Sequence, residues 1–76
     1  MFKEFFLGLT ESEREALASS AGTTVNYIRT HLIAPAHRRK TPNKELMNRL
    51  AVACAEKGAR FDRAQLLEYF YEKSVA

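Results

Sequence analysis

The sequence predicts an all-α domain built from five short helices. Three observations predict it. Apolar residues recur at helical spacing in five separate segments, and no segment sustains the alternation of a half-buried strand. Between those segments stand residues that cap helix starts (Thr, Asn, Asp) and glycines that end helices. Finally, the stretch from Arg14 to Leu32, REALASSAGTTVNYIRTHL, carries one apolar stripe across Gly22. Two short helices hinged at a glycine are the shape by which many small proteins place one helix in a DNA groove.

The first helix is expected over about Phe2 to Leu9, burying Phe2, Phe5, Phe6 and Leu9. Thr10 then opens the second as an N-cap, with Glu13 three residues on to complete a capping box. Leu17, Ala18 and Ala21 form its narrow apolar stripe, and Gly22 ends it. A chain leaving a helix through a positive φ strains any residue with a side chain, but not glycine. Ala18 suits the crowded place where two helices meet, because a larger side chain would force them apart.

The third helix starts at Thr23 or Thr24, either of which can cap. It ends near Leu32 or Ile33, with Ile28 and His31 or Leu32 resuming the stripe. Residues 34–43 are expected to be a loop, with prolines at 35 and 42. The fourth helix begins at Thr41 or Asn43 and runs to about Lys57, where Gly58 stops it. Its apolar face uses Leu46, Met47, Leu50, Ala53 and Cys54. Phe61 is expected to plug the core, and Asp62 with Gln65 to cap a fifth helix presenting Leu66, Leu67, Phe70 and Tyr71.

Seventy-six residues predict one domain, residues 1–76, whose core contributes little net stability, so oligomerisation is a natural supplement. The chain is 46% hydrophobic and 28% charged, an ordinary balance for a soluble globular protein. No apolar run approaches the about 18 residues of a membrane span, and none is expected. The N-terminal MFKEFFLGL carries Glu4 and lacks a signal peptide's cleavage region. Cys54 stands alone, so no internal disulfide forms and a reducing cytoplasm is the expected setting.

A net charge of +3 says little by itself, but its placement says more. Residues 1–28 set Lys3 and Arg14 against Glu4, Glu11, Glu13 and Glu15. Residues 29–44 hold Arg29, Arg38, Arg39, Lys40 and Lys44 with no acid at all. The positive field is therefore concentrated on the third helix and the loop after it, an electrostatic footprint for phosphates.

The same residues carry a resemblance. Leu17-Ala18 to Gly22-Thr23-Thr24-Val25-Asn26-Tyr27-Ile28, then Ala36-His37-Arg38-Arg39-Lys40-Thr41-Pro42, are similar to a pattern of the form L-A-x-x-x-G-T-S-V-x-Y-L followed by G-H-R-R-x-S-P. That pattern belongs to Cro and repressor-type phage regulators, and more closely to the Cro/YdaS-like subgroup. The likeness runs roughly from Phe5 to Leu67. The chain departs from it where Ile33-Ala34-Pro35 lengthens the loop and where the C-terminal segment continues as a helix. The resemblance implies a lambda-repressor-like helix-turn-helix and a sequence-specific regulator of transcription, working by occupancy of an operator in a bacterium, prophage or phage.

By the family's pattern the third helix reads the major groove through Thr24, Val25, Asn26, Arg29 and Thr30. Their chemistry fits: Asn26 matches adenine bidentately, Arg29 matches guanine, Val25 packs on a thymine methyl, and Thr24 and Thr30 bond a base or phosphate. Thr23, Tyr27, His37, Arg38, Arg39 and Lys40 are implied as DNA-backbone contacts, which position without reading sequence. For Tyr27 a purely structural role stands beside that one. Leu66, Phe70 and Tyr71 make the last helix apolar over more than one stripe. Either they form a homodimer contact, which would set two reading helices about one DNA turn apart, or they close the monomer's own core.

No metal site or cofactor is expected. His31 and His37 are only two, and Cys54 lies on another helix's apolar face, whereas zinc needs three or four converging ligands. Glu11, Glu13 and Glu15 crowd a helix N-terminus, where the dipole favours them, and no acid-base constellation or Gly-rich phosphate cradle appears, so an enzyme is not expected. Two rival readings stay open. One is an antitoxin-type regulator that also masks a toxin partner. The other is a helical protein-interaction module without DNA binding, for which the acid-free run would be superfluous.

Overall fold

Polar side chains set where the four α-helices after the first begin. The structure is a computed structural model and describes residues 1–71. Thr10 Oγ1 accepts from the Glu13 amide at 3.2 Å, while Glu13 Oε1 accepts from the Thr10 amide at 2.9 Å. This capping box opens α2 (Glu11–Ala21), and the Thr10 amide, then its hydroxyl, hold the Glu13 carboxyl below its usual range. Asp62 and Gln65 form the same reciprocal pair, both contacts 2.9 Å, ahead of α5 (Arg63–Tyr71). Thr24, not Thr23, caps α3, its hydroxyl accepting from the Tyr27 amide at 3.1 Å. α3 comprises Val25–Tyr27 and runs on as a π-helix over Ile28–Leu32. Asn43, not Thr41, opens α4 (Lys44–Glu56) through the Leu46 amide at 2.8 Å. α1 (Phe2–Gly8) precedes them all, and the class is all-α.

Two helix ends share one device. Gly22 and Gly58 have φ of 77° and 86°. After α2, the Gly22 and Thr23 amides donate to the Ser19 and Ala18 carbonyls at 3.0 and 2.9 Å. After α4, the Gly58 and Ala59 amides donate to Ala55 and Cys54, both at 3.0 Å. Each pair satisfies carbonyls that a helix end leaves open, through a residue at which a Cβ would cost about 1–2 kcal/mol.

Arginines finish two other tasks. Arg14 of α2 donates to the Phe6 and Leu7 carbonyls at 3.1 and 2.6 Å, closing the end of α1. Arg49 of α4 donates to the Ala21 carbonyl at 3.0 Å and pairs with Glu45 at 2.7 Å, so α4 buttresses the turn between α2 and α3.

The core lies where α4 packs against both α2 and α5 and α3 packs against α2, while α1 brings Phe2 onto α5. Phe2, Phe6, Leu17, Ala21, Ile28, Leu32, Leu50, Cys54, Leu66 and Phe70 have no exposed surface. Phe2 is the aromatic hub: its ring centroid lies 6.1 Å from Phe6 and 5.9 Å from both Tyr69 and Phe70. Phe5 and Leu9 are only half-buried, and Phe61 plugs the edge of the core edge-on to Phe5 at 5.5 Å. Among the described residues no helix is long and apolar enough to cross a membrane.

Three expectations need correction. The end of α3 is π-wound, closed by the Ile33 amide on the Ile28 carbonyl at 3.0 Å. Segment 34–43 contains a turn of 3-10 helix, Ala36–Arg38. Leu66 and Phe70 are not available as a dimer contact, because both are fully buried in the chain's own core; of that trio only Tyr71 is exposed.

Burial alone pushes the Cys54 thiol up to about 12. An unfolded thiol ionises near pH ~8.5, so the protonated folded form loses ground to the unfolded chain as pH rises between those values. At pH near 8, a thiol-specific reagent is expected to label Cys54 only as fast as the chain opens. Immediate labelling of the native protein would contradict this burial.

Candidate nucleic-acid interface

α3 shows two faces. Ile28 and Leu32 enter the core, while Asn26, Arg29 and Thr30 are exposed. These three lie three and four residues apart and so share one side of the helix. Among the described residues, none of their side chains hydrogen-bonds to the protein, and Arg29 meets no carboxylate. Thr24 is exposed too, and its hydroxyl, though accepting from the Tyr27 amide, keeps its proton free to donate.

Not every position singled out in the sequence lies outward. Val25 is half-buried and packs on the core, which corrects its assignment to the outward face. Thr23 is half-buried as well, at the turn it closes through Ala18. Tyr27 packs against the core and sets its ring 4.8 Å from that of His31. Its body is therefore structural, whatever its hydroxyl meets.

The basic segment is not a free loop. The Arg38 amide donates to the Pro35 carbonyl at 2.8 Å, making the 3-10 turn. The Lys40 amide then donates to the His31 carbonyl at 2.8 Å, returning the chain to the C-terminal end of α3. His37, Arg38 and Lys40 are exposed, as is Lys44 just beyond, and among the described residues no carboxylate pairs with them.

Arg39 behaves differently from its neighbours. It is half-buried, donating from Nε to the Ala34 carbonyl at 3.2 Å and from Nη1 to the Tyr69 carbonyl at 3.0 Å. Its guanidinium carbon sits 4.1 Å from the centroid of the Tyr69 ring. Tyr69 in turn donates its hydroxyl to the Leu32 carbonyl at 3.3 Å. The assignment of Arg39 to the outward backbone contacts is thus corrected: its fork is spent inside the chain. Tyr69, to which no sequence motif points, completes the arrangement.

An open groove of about 250 Å³ lies between α2 and α4, lined by Ser20, Asn48, Arg49, Val52 and Glu56. Ser20 Oγ donates to Glu56 Oε1 there at 3.3 Å. None of the residues singled out from the sequence lines it. Among the described residues no three His, Cys, Asp or Glu side chains gather as a metal site would require.

Comparison of the chain with protein-family models, with curated proteins and with solved structures returns no match.

Proposed function

We propose that the chain is a sequence-specific, double-stranded DNA-binding regulator of transcription. In this reading α2, the Gly22 turn and α3 act as a helix-turn-helix. Asn26, Arg29 and Thr30 meet base edges in the major groove, with Thr24 at the helix start. Arg38, Lys40 and His37 meet the phosphates alongside. The mechanism is occupancy: the bound protein excludes polymerase from an operator.

The observation that carries the proposal is a juxtaposition. An exposed, unengaged Asn-Arg-Thr face on a helix is followed by a basic loop that hydrogen-bonds back to that helix's own end. A solvated helix face needs no such neighbour, and mutually repelling charges held together gain most from a phosphate backbone. Homodimerisation through Leu66 and Phe70 drops out of the proposal, because burial removes both from the surface.

In-vitro selection of random duplexes by the purified protein tests the reading. Enrichment of one sequence is expected. A single half-site would accompany a monomer, and a pseudo-palindrome with half-sites about 34–36 Å apart a dimer joined elsewhere. Recovery of no preferred sequence would overturn sequence-specific readout.

A further inference from the structure

Within an acid-free run of cations, one arginine is turned the opposite way from the rest. Arg38 and Lys40 are exposed, while Arg39 between them points into the protein. Its fork joins two places far apart in sequence, the Ala34 carbonyl before the loop and the Tyr69 carbonyl on α5. The guanidinium carbon sits over the Tyr69 ring, 4.1 Å from its centroid, and the Tyr69 hydroxyl ties the same ring to the Leu32 carbonyl at the end of α3. Among the described residues the loop is moored twice, by the Lys40 amide on His31 and by Arg39 on α5.

We infer that Arg39 is a positioning residue that presents Arg38 and Lys40 as a preset pair to the phosphates of DNA, without contacting the DNA itself. This rests on the DNA-binding reading above and adds a division of labour within it. Arg39 leaves the 3-10 turn in extended conformation (φ −72°, ψ 132°), which turns its side chain inward while Arg38 at the end of the turn and Lys40 after it stay exposed. Holding them there before DNA arrives removes the ordering cost from binding. Lysine cannot substitute, because one ammonium reaches neither two separated carbonyls nor the face of a ring as a planar fork does.

The test compares R39K, R39Q and R38Q of the full chain, at a temperature where circular dichroism shows all of them folded. Two readouts are taken: hydrogen exchange at the Lys40 amide, and affinity for a short mixed-sequence duplex across a salt series. Both Arg39 variants are expected to lose protection at the Lys40 amide and to bind the duplex about tenfold more weakly with an unchanged salt slope. R38Q is expected to keep that protection and to flatten the slope by about 0.9, as happens when the protein neutralises one phosphate fewer. Wild-type behaviour of R39K, with a flattened slope in R39Q alone, would make Arg39 a phosphate ligand and overturn the inference. A Lys40 amide still protected in both Arg39 variants would overturn it as well. If the wild-type protein bound no duplex, the DNA-binding reading would fail, and the exchange data would still judge separately whether Arg39 moors the loop.

Discussion

Phe70→Ala is expected to remove most of the stability of this protein. Phe70 has no exposed surface, and its ring meets Phe2 at 5.9 Å and Tyr69 at 4.9 Å, so truncation opens a cavity where α1 and α5 join. Phe-to-Ala changes in cores cost about 3–5 kcal/mol, because the forgone transfer energy adds to an unfilled void. A domain of this length has about 4–11 kcal/mol in total, so the variant sits near the threshold of folding. Its thermal midpoint is expected to fall by more than about 12 °C, at about 4–8 °C per kcal/mol for a domain this small. Tyr71→Ala, one residue on but 52% exposed, is expected to shift stability by about 0.5 kcal/mol or less. Urea titration at two protein concentrations checks the pair. A Phe70→Ala deficit that appeared only on dilution would return Phe70 to a subunit interface and contradict its place in the core.

The contrast between Phe70 and Tyr71 shows what a sequence can and cannot disclose. Thr10 with Glu13, and Asp62 with Gln65, were legible because each capping box closes within three residues. Gly22 and Gly58 were legible for the same reason, since the bonds that need them lie within one turn. The last helix offered two apolar stripes, and packing by distant segments, α4 and Phe2 from the other end of the chain, decides which becomes core. Spacing alone also left the winding of α3 open, since burial at positions four apart, as for Ile28 and Leu32, suits an α- or a π-turn equally.

Arginine was the least legible residue type. Arg14, Arg39 and Arg49 each donate to a main-chain carbonyl between 5 and 30 positions away. In sequence, a guanidinium bound for a carbonyl is indistinguishable from one bound for a phosphate. Counting cations over residues 29–44 therefore overstated the outward charge by one, at Arg39. The exposed face of α3 was legible in part. Asn26, Arg29 and Thr30 point outward, whereas the short, branched Val25 at the helix start turns toward the core.

That exposed face carries the second large expected effect. Arg29→Ala is expected to weaken binding to the selected sequence by about 1–3 kcal/mol, a drop of roughly 5- to 150-fold, and to abolish preference at one base pair. Asn26→Ala is expected to do the same at a neighbouring position. Because the two lie one helical turn apart, their effects need not add, and the double variant measures their coupling. Arg29→Lys separates the two roles a cation can play. It keeps the charge, so affinity for unrelated duplexes and its salt dependence are expected to stay near wild type. It loses the planar fork that matches guanine's two acceptors, so discrimination at that base pair is expected to fall. Repeating the selection with Arg29→Lys reads the outcome directly. An unchanged preferred sequence would mean that Arg29 supplies only field to the interface, and base readout would then have to come from Asn26, Thr30 and Thr24.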